Sequence, residues 1–254
     1  MNNSLTGRTV LITGASSGLG AHFAKLCADA GARIVLGARR LDRIEALAVT
    51  LIAGGAQALA VPLDVTSEKS IESAYNAAER TFGTVDTIIA NAGVSVAGRS
   101  TEIPPDGIRS VIDTNFTGVY LTAREGARRL IAANSRTHEN GRILIIGSIT
   151  AHMTAQGDAA YAASKAAAAH LGRNFAREWV RQGINVNVLQ PGYIRTEISG
   201  DWFDTPGGAT QIANFHRRRL MQPTALDDLV LYLCSDASRH VTAAVIDVDD
   251  GQSL

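Results

Sequence analysis

Short apolar runs alternate with amphipathic stretches along nearly the whole chain. The runs at residues 9–13, 33–37, 56–63, 85–90, 142–146, 184–189 and 243–248 are rich in Val, Ile and Leu. Their length and branched side chains predict strands buried on both faces. Between them, apolar residues recur with helical spacing at residues 22–30, 41–52, 67–82, 106–134, 159–180 and 226–234. These predict helices, the third capped by Ser67 or Thr66. Strand following helix in this way predicts an α/β fold, a doubly wound parallel sheet with helices on both faces. Such sheets take their ligands at the carboxyl ends of the strands. No linker or internal repeat divides the pattern, so residues 1–254 are read as one domain. The longest irregular stretch starts at Tyr193 and is interrupted by Gly200, Pro206, Gly207 and Gly208. It is read as a substrate loop over about 193–217.

Composition narrows the class. The chain is 46% hydrophobic and 19% charged, a globular balance. Lys plus Arg and Asp plus Glu are equal at 24 each, which argues against nucleic-acid binding driven by overall charge. No apolar run approaches the ~20 residues of a membrane span. Residues 1–8 are polar and lack the apolar segment of a secretory signal. Cys27 and Cys234 sit in apolar helical patterns and read as core thiols in a reducing cytoplasm. The six histidines are scattered singly, so no metal site is expected.

Three stretches carry candidate chemistry. The first is the turn between strand 9–13 and its helix, with Gly14, Ser16, Ser17, Gly18, Leu19 and Gly20. A glycine turn from strand into helix presents backbone N–H groups and a positive helix end to a phosphate. Gly14 permits the tight turn, Gly18 the close approach of a pyrophosphate, and Gly20 the packing of helix on strand. The second stretch is the tip of strand 33–37, where Ala38 is followed by Arg39 and Arg40. An acid at that tip binds ribose hydroxyls, whereas arginine accommodates a 2′-phosphate, so NADP fits better than NAD. A solvated basic turn is the plainer alternative. Asp64 and Val65 end the third strand, placed to meet an adenine edge, and Asn91, Ala92 and Gly93 end the fourth.

The third stretch runs from Ser148 to Lys165. Tyr161 and Lys165 lie four residues apart, on one face of the predicted helix. A neighbouring ammonium favours the phenolate and lowers the phenol pKa from about 10. Ser148 ends the preceding strand, where its hydroxyl can meet the phenol. An ordinary surface helix accounts for this stretch alone equally well. Asn115, among apolar residues in mid-helix, reads from its surroundings as structural.

Taken together, these residues resemble the short-chain dehydrogenase/reductase family in its ordinary single-domain form, over essentially the whole chain. The matches are Thr13-Gly14-x-x-x-Gly18-x-Gly20, Asn91-Ala92-Gly93, Asn115, Ser148, Tyr161-x-x-x-Lys165 and Pro191-Gly192, in family order and spacing. The resemblance implies a Rossmann-type sheet of about seven strands in the order 3-2-1-4-5-6-7. It implies Tyr161 as general acid or base, Lys165 as the group that lowers its pKa and holds the nicotinamide ribose, and Ser148 on the substrate oxygen. It turns Asn115 from a structural residue into the holder of a water linking Lys165 to solvent. Tyr161, Lys165, Pro191, Gly192, Ile194 and Thr196 join the cofactor contacts, with Thr196 on the carboxamide. It also implies a homotetramer built through the Tyr161 and Asn115 helices. The chain departs from the family near its end, where Asp250 replaces a common glycine and the segment 219–223 lacks the glycine before Pro223.

The expected activity is NADP(H)-dependent interconversion of a small-molecule ketone and a secondary alcohol, with no nucleic acid or membrane partner. Ile149, His152, Met153, Gln156, Tyr193, Trp202 and Phe203 are the expected pocket lining, suiting a moderately apolar substrate. A second reading is a 3-oxoacyl-thioester reductase acting on carrier-protein or coenzyme A thioesters, with Arg128, Arg129, Arg173 and Arg177 as a basic docking patch. A third is a non-catalytic dinucleotide-sensing protein.

Overall fold

The computed structural model describes residues 4–154 and 157–254. Gln156 therefore lies outside the described residues. The strands are β1 (Thr9–Thr13), β2 (Arg33–Ala38), β3 (Gln57–Pro62), β4 (Thr87–Ala90), β5 (Gly141–Ile146), β6 (Ile184–Pro191) and β7 (Val245–Val248). They form a parallel sheet in the order β3-β2-β1-β4-β5-β6-β7. The order reverses between β1 and β4, which opens a crevice at their carboxyl ends.

Successive strand residues feed two separate cores. Val10 and Ile12 of β1 and Ile34 and Leu36 of β2 pack with α1 (Gly18–Asp29), α2 (Leu41–Ala53) and α9 (Asp227–Cys234). Leu11, Val35, Ile88, Ile143 and Ile145 face the other way. They meet α3 (Glu68–Phe82), α5 (Gly118–Ala132) and α7 (Ala159–Trp179). Each fully buried branched side chain contributes about 1.5–3 kcal/mol by leaving water. Both cysteines are free and buried in the first core.

At the amino ends of the strands, Arg8 pairs with Asp86 at 3.0 Å and donates to the Thr87 hydroxyl and Asn140 carbonyl. Arg142 donates to the carbonyls of Ser235, Glu139 and Gly141. This buried network binds β1, β4 and β5 at the end remote from the crevice.

The structure revises two expected elements and adds one. The helix expected over 106–134 is α4 (Pro105–Ile112), a π turn (Asp113–Thr117) and α5. The residues after it supply the added element. They form α6 (Ser135–His138) between the left-handed residues Asn134 and Glu139, with buried Ser135 donating to the Gln182 carbonyl at 2.6 Å. Within the segment 193–215, Pro206 opens a helix, α8 (Pro206–Asn214), whose Gly208 N–H is capped by the Thr205 hydroxyl at 3.1 Å. Proline is pre-set for the first helical position, so it starts this helix rather than breaking the chain.

Candidate active site

The turn after β1 is built by close backbone approach. Gly14 has a φ of +68°, and a Cβ on Gly20 would stand 2.3 Å from the Gly14 carbonyl oxygen. The Thr13 hydroxyl accepts the N–H groups of Asn91 and Ala92, both at 3.0 Å. The Asn91 amide donates back to the Thr13 carbonyl at 2.9 Å. Asn91 thus ties the ends of β1 and β4 together on either side of the crevice.

Ser17 precedes α1 without capping it through its side chain, so its hydroxyl does not occupy the first-turn N–H groups. Instead Arg40 donates to Ser16 at 2.9–3.0 Å and to Ser17 at 2.7 Å. Arg40 also pairs with Glu197 at 2.7 Å, and Arg43 reaches the other oxygen of that carboxylate at 2.5 Å. Hydrogen bonds from Arg40, Arg43 and Ser17 hold the Glu197 carboxyl down to about 2. Arg39 is exposed at the β2 tip. With the Thr66 bonds leading, its charge helps to lower Asp64. An uncapped helix start, a glycine cradle and two hydroxyls under an arginine suit a phosphorylated dinucleotide. Arg43 and Glu197 escaped the sequence reading because they meet only through the fold, 154 residues apart.

Ser148 leaves β5 in extended backbone, and its oxygen accepts the Thr150 N–H at 3.2 Å and the Thr150 hydroxyl at 2.9 Å. The Ser148 hydroxyl also stands close enough to the Tyr161 phenol to favour its ionised form. Lys165 is buried one helical turn on. It donates to the Ile146 carbonyl at 2.8 Å, with its nitrogen 5.5 Å from the Tyr161 ring centre. Burial lowers Lys165 to about 8. Burial also raises the Tyr161 phenol to about 12, against the opposing Ser148 hydroxyl. The direction is opposite to the one read from the four-residue spacing. Desolvation outweighs the ammonium, which is turned towards the β5 carbonyl.

Asn115 stands in the π turn, fully buried. Its oxygen accepts the Val94 N–H at 2.9 Å. Its nitrogen donates to the Val94 carbonyl at 2.9 Å and to the Ser164 hydroxyl at 3.0 Å. A Cβ on Gly93 would lie 3.4 Å from the Asn115 oxygen and 3.6 Å from the Lys165 nitrogen, so these groups share one small space.

The expected pocket residues separate. Ile149 is buried beneath the site, and Met153 is partly buried. His152 is exposed and turned to Asp247 of β7, at 3.6 Å. Phe203 is buried edge-on to Tyr193, which stacks on Phe215 at 5.4 Å. Trp202 is 49% exposed, lies on Gly207 and donates to Gln211 at 2.6 Å, within the lid's own packing. Gln211 also stands near the Tyr193 phenol and works against the rise that burial imposes on it. The carboxyl-terminal tail staples the lid at both ends: Gln252 accepts the Tyr193 N–H at 2.6 Å and donates to the Arg219 carbonyl at 3.1 Å. Gly192 must be glycine for this contact, since its Cβ would fall 2.4 Å from the Gln252 oxygen. Thr196 heads the 3₁₀ turn Glu197–Ser199, and Ile194 forms a bridge with Met221. Ser95, Asp158, Gln211 and Gln252 also face this region without having stood out in the sequence. Asp158 carried the one available signal, a carboxylate three residues before Tyr161.

Among the described residues, no group of three His, Cys, Asp or Glu side chains could hold a metal ion. Among them, no helix is long and apolar enough to cross a membrane.

Known proteins share this fold. The oxidoreductase UcpA of Salmonella typhimurium is 34% identical, over 98% of this chain and 96% of its own length. The crystal structure of a short-chain type dehydrogenase/reductase from Mycobacterium marinum superposes with a TM-score of 0.93. It is 32% identical and covers 99% of this chain and 97% of its own. A gluconate 5-dehydrogenase from Burkholderia cenocepacia, solved with NADP and tartrate, superposes at 0.92 with 29% identity, over 99% of this chain and 97% of its own. The family model for short chain dehydrogenase matches residues 8–207, and the chain is an oxidoreductase of that family.

Proposed function

We propose that the chain is an NADP(H)-dependent oxidoreductase that interconverts a ketone and a secondary alcohol, with Tyr161 as the proton donor or acceptor. The observation that carries this reading is the Tyr161 phenol beside the Ser148 hydroxyl, one helical turn from buried Lys165, whose nitrogen lies 5.5 Å from the Tyr161 ring centre. A nicotinamide dinucleotide held in the Gly14–Gly20 turn supplies or accepts the hydride. In reduction, negative charge develops on the substrate oxygen. Tyr161, protonated across the neutral range, gives its phenolic proton to that oxygen. Thr150 fills the acceptor positions of the Ser148 oxygen, so the one Ser148 hydrogen turns from the Tyr161 phenol to the substrate oxygen as charge develops there. Lys165 stands behind the phenol as the source of its replacement proton. Asn115 keeps Val94 and Ser164 in place around it, and its oxygen retains acceptor capacity for the linking water.

NADP is favoured by Arg39 and Arg40, with Ala38 where an acid would hold ribose hydroxyls. The complex of the gluconate 5-dehydrogenase with NADP supports this preference. The carrier-protein alternative loses support, because Arg128 and Arg129 are already paired with Glu125 and Glu79. Arg173 lies twelve residues beyond Tyr161, about 18 Å along α7 from the phenol. The same reading includes a homotetramer through α5 and α7, of which α5 leaves Tyr120 and Ile131 exposed.

The test is a panel of ketones, keto esters and secondary alcohols with NADPH/NADP+ and NADH/NAD+. Turnover with a preference for the phosphorylated cofactor is expected. Tight NADPH binding without turnover of any compound would replace this reading with the dinucleotide sensor.

A further inference from the structure

We infer that Asp158 is a substrate-selecting carboxylate, which accepts the hydroxyl hydrogens of a neutral polyhydroxylated substrate beside the reacting carbon and turns carboxylate substrates away. The inference rests on the reading of Tyr161 as proton donor. It goes beyond that reading by naming a substrate class.

Asp158 is the residue before α7, one turn ahead of Tyr161. A carboxylate there ordinarily accepts an N–H of the first helical turn. Asp158 makes no such bond. Its Oδ1 accepts instead from the Ser95 hydroxyl, two residues past Gly93, at 3.3 Å. That distance is long for O–H···O and marks a weak partner. The carboxylate is thus turned away from its own helix and across to the carboxyl end of β4, where the reacting groups gather.

Two phenols lie within reach of its charge. Burial raises both Tyr161 on α7 and Tyr193 after β6, and the Asp158 charge adds to the rise in each. Among the described residues, Ser95 is the only side chain that stabilises the ionised form, and burial works against it. No lysine, arginine or histidine among them pairs with it. An ionised carboxylate has about four acceptor positions, and one long bond leaves most of them to be filled. A closed site with an apolar substrate would strand the charge at a cost. A substrate carboxylate would meet like charge. Hydroxyl groups supply the missing donors, and the Tyr193–Gln211 pair opposite offers both donors and acceptors to the same kind of ligand. The large apolar residues expected to line the site do not contradict this. Ile149 and Phe203 are buried, and Trp202 packs on α8.

The test compares kcat/KM for oxidation of cyclohexanol, trans-cyclohexane-1,2-diol, 2-hydroxycyclohexanecarboxylate and trans-2-aminocyclohexanol by wild type, Asp158→Asn and Asp158→Glu. In wild type the diol should exceed cyclohexanol by roughly tenfold to a hundredfold, the size of a hydrogen bond to a charged acceptor. The carboxylate should fall below cyclohexanol. In Asp158→Asn the diol-to-cyclohexanol ratio should collapse towards one and the carboxylate should rise relative to cyclohexanol. Asp158→Glu should keep the bias against the carboxylate. NADPH binding, followed by fluorescence, reports whether each variant is folded. If Asp158→Asn does not fold, the glutamate variant decides, and loss of its bias against the carboxylate overturns the inference. A wild-type diol-to-cyclohexanol ratio near one, or a ratio unchanged in Asp158→Asn, also overturns it. So does a stronger preference for the amino alcohol that Asp158→Asn abolishes, which would make the partner a cation. Absence of turnover for all four alcohols and for the wider ketone panel would be a failure of the oxidoreductase reading itself, a separate result.

Discussion

Asn115 and Val94 clasp each other twice, the side-chain oxygen taking the Val94 N–H and the side-chain nitrogen giving to the Val94 carbonyl, each at 2.9 Å. A helix interior thereby holds the backbone that leaves β4, one residue past Gly93 and beside Lys165. The π turn is what makes room for this, since its wider loop sets Asn115 into the crevice side of the helix. The structural and the functional readings of Asn115 are therefore compatible.

Removing the clasp should show in stability and in rate together. In Asn115→Ala the Val94 groups lose their partners, at about 1–3 kcal/mol for each buried group left unsatisfied. A lower Tm by thermal melting and a lower kcat are expected. An unchanged Tm would mean that water replaces the amide without cost.

Tyr161→Phe keeps the ring and removes the proton. Turnover should fall by roughly 10²–10⁴-fold, the usual worth of a positioned acid, while NADPH binding persists. Retained turnover would reassign the acid.

Lys165 gives a pH-dependent expectation with a definite sign. Its folded pKa of about 8 lies below the ordinary value of 10.5, so the folded chain binds the proton less tightly than the unfolded one. The charged lysine then costs stability, fully below about pH 8, and the cost fades as pH rises towards 10.5. A shift of this size corresponds to roughly 3 kcal/mol, offset by ~1 kcal/mol for the lost bond to Ile146. Lys165→Met should therefore be inactive yet more stable than wild type at pH 7, and the gain should disappear near pH 10.5. Urea unfolding at the two pH values reads this directly.

The fold was legible because it follows from local pattern. Each strand is short and branched, and the glycine turn after β1 shows both its strand and its helix in sequence. Gly14, Ser148, Tyr161 and Lys165 could be picked out because their chemistry depends on short spacings. What stayed hidden depends on contacts between distant segments or on competition between effects. Glu197 meets Arg40 and Arg43 only once α2 and the lid face each other. The phenol pKa follows burial, which spacing does not encode, so spacing alone points in the opposite direction. Pro206 and Gly208 read as breakers because the pattern does not show that Thr205 caps a helix there.

Glu197 holds Arg40, one of the two arginines that a 2′-phosphate would use, together with Arg43. Glu197→Gln removes a competing anion, so KM for NADPH should fall several-fold while KM for NADH changes little. Arg40→Ala should raise KM for NADPH. Equal effects on both cofactors would place the 2′-phosphate elsewhere.

The departure at Asp250 has a structural counterpart in the lid. Asp250 adopts a left-handed φ of +57°, a conformation that glycine takes more readily, yet its carboxylate pairs with Arg219 at 2.7 Å and Arg217 at 3.0 Å. The residue accepts backbone strain and anchors the end of the segment that starts at Tyr193. Solvent screens such pairs, so releasing both should raise the opening of this segment only modestly. Trypsin cuts after arginine, and Arg217, Arg218 and Arg219 lie together here. Asp250→Asn should therefore be nicked faster at 217–219 than wild type. Asp250→Gly relieves the strain but also loses the pairs, and it should be nicked as fast as the asparagine variant. If the glycine variant resists like wild type, the ion pairs do not hold the lid, and the tail does so through Gln252 alone.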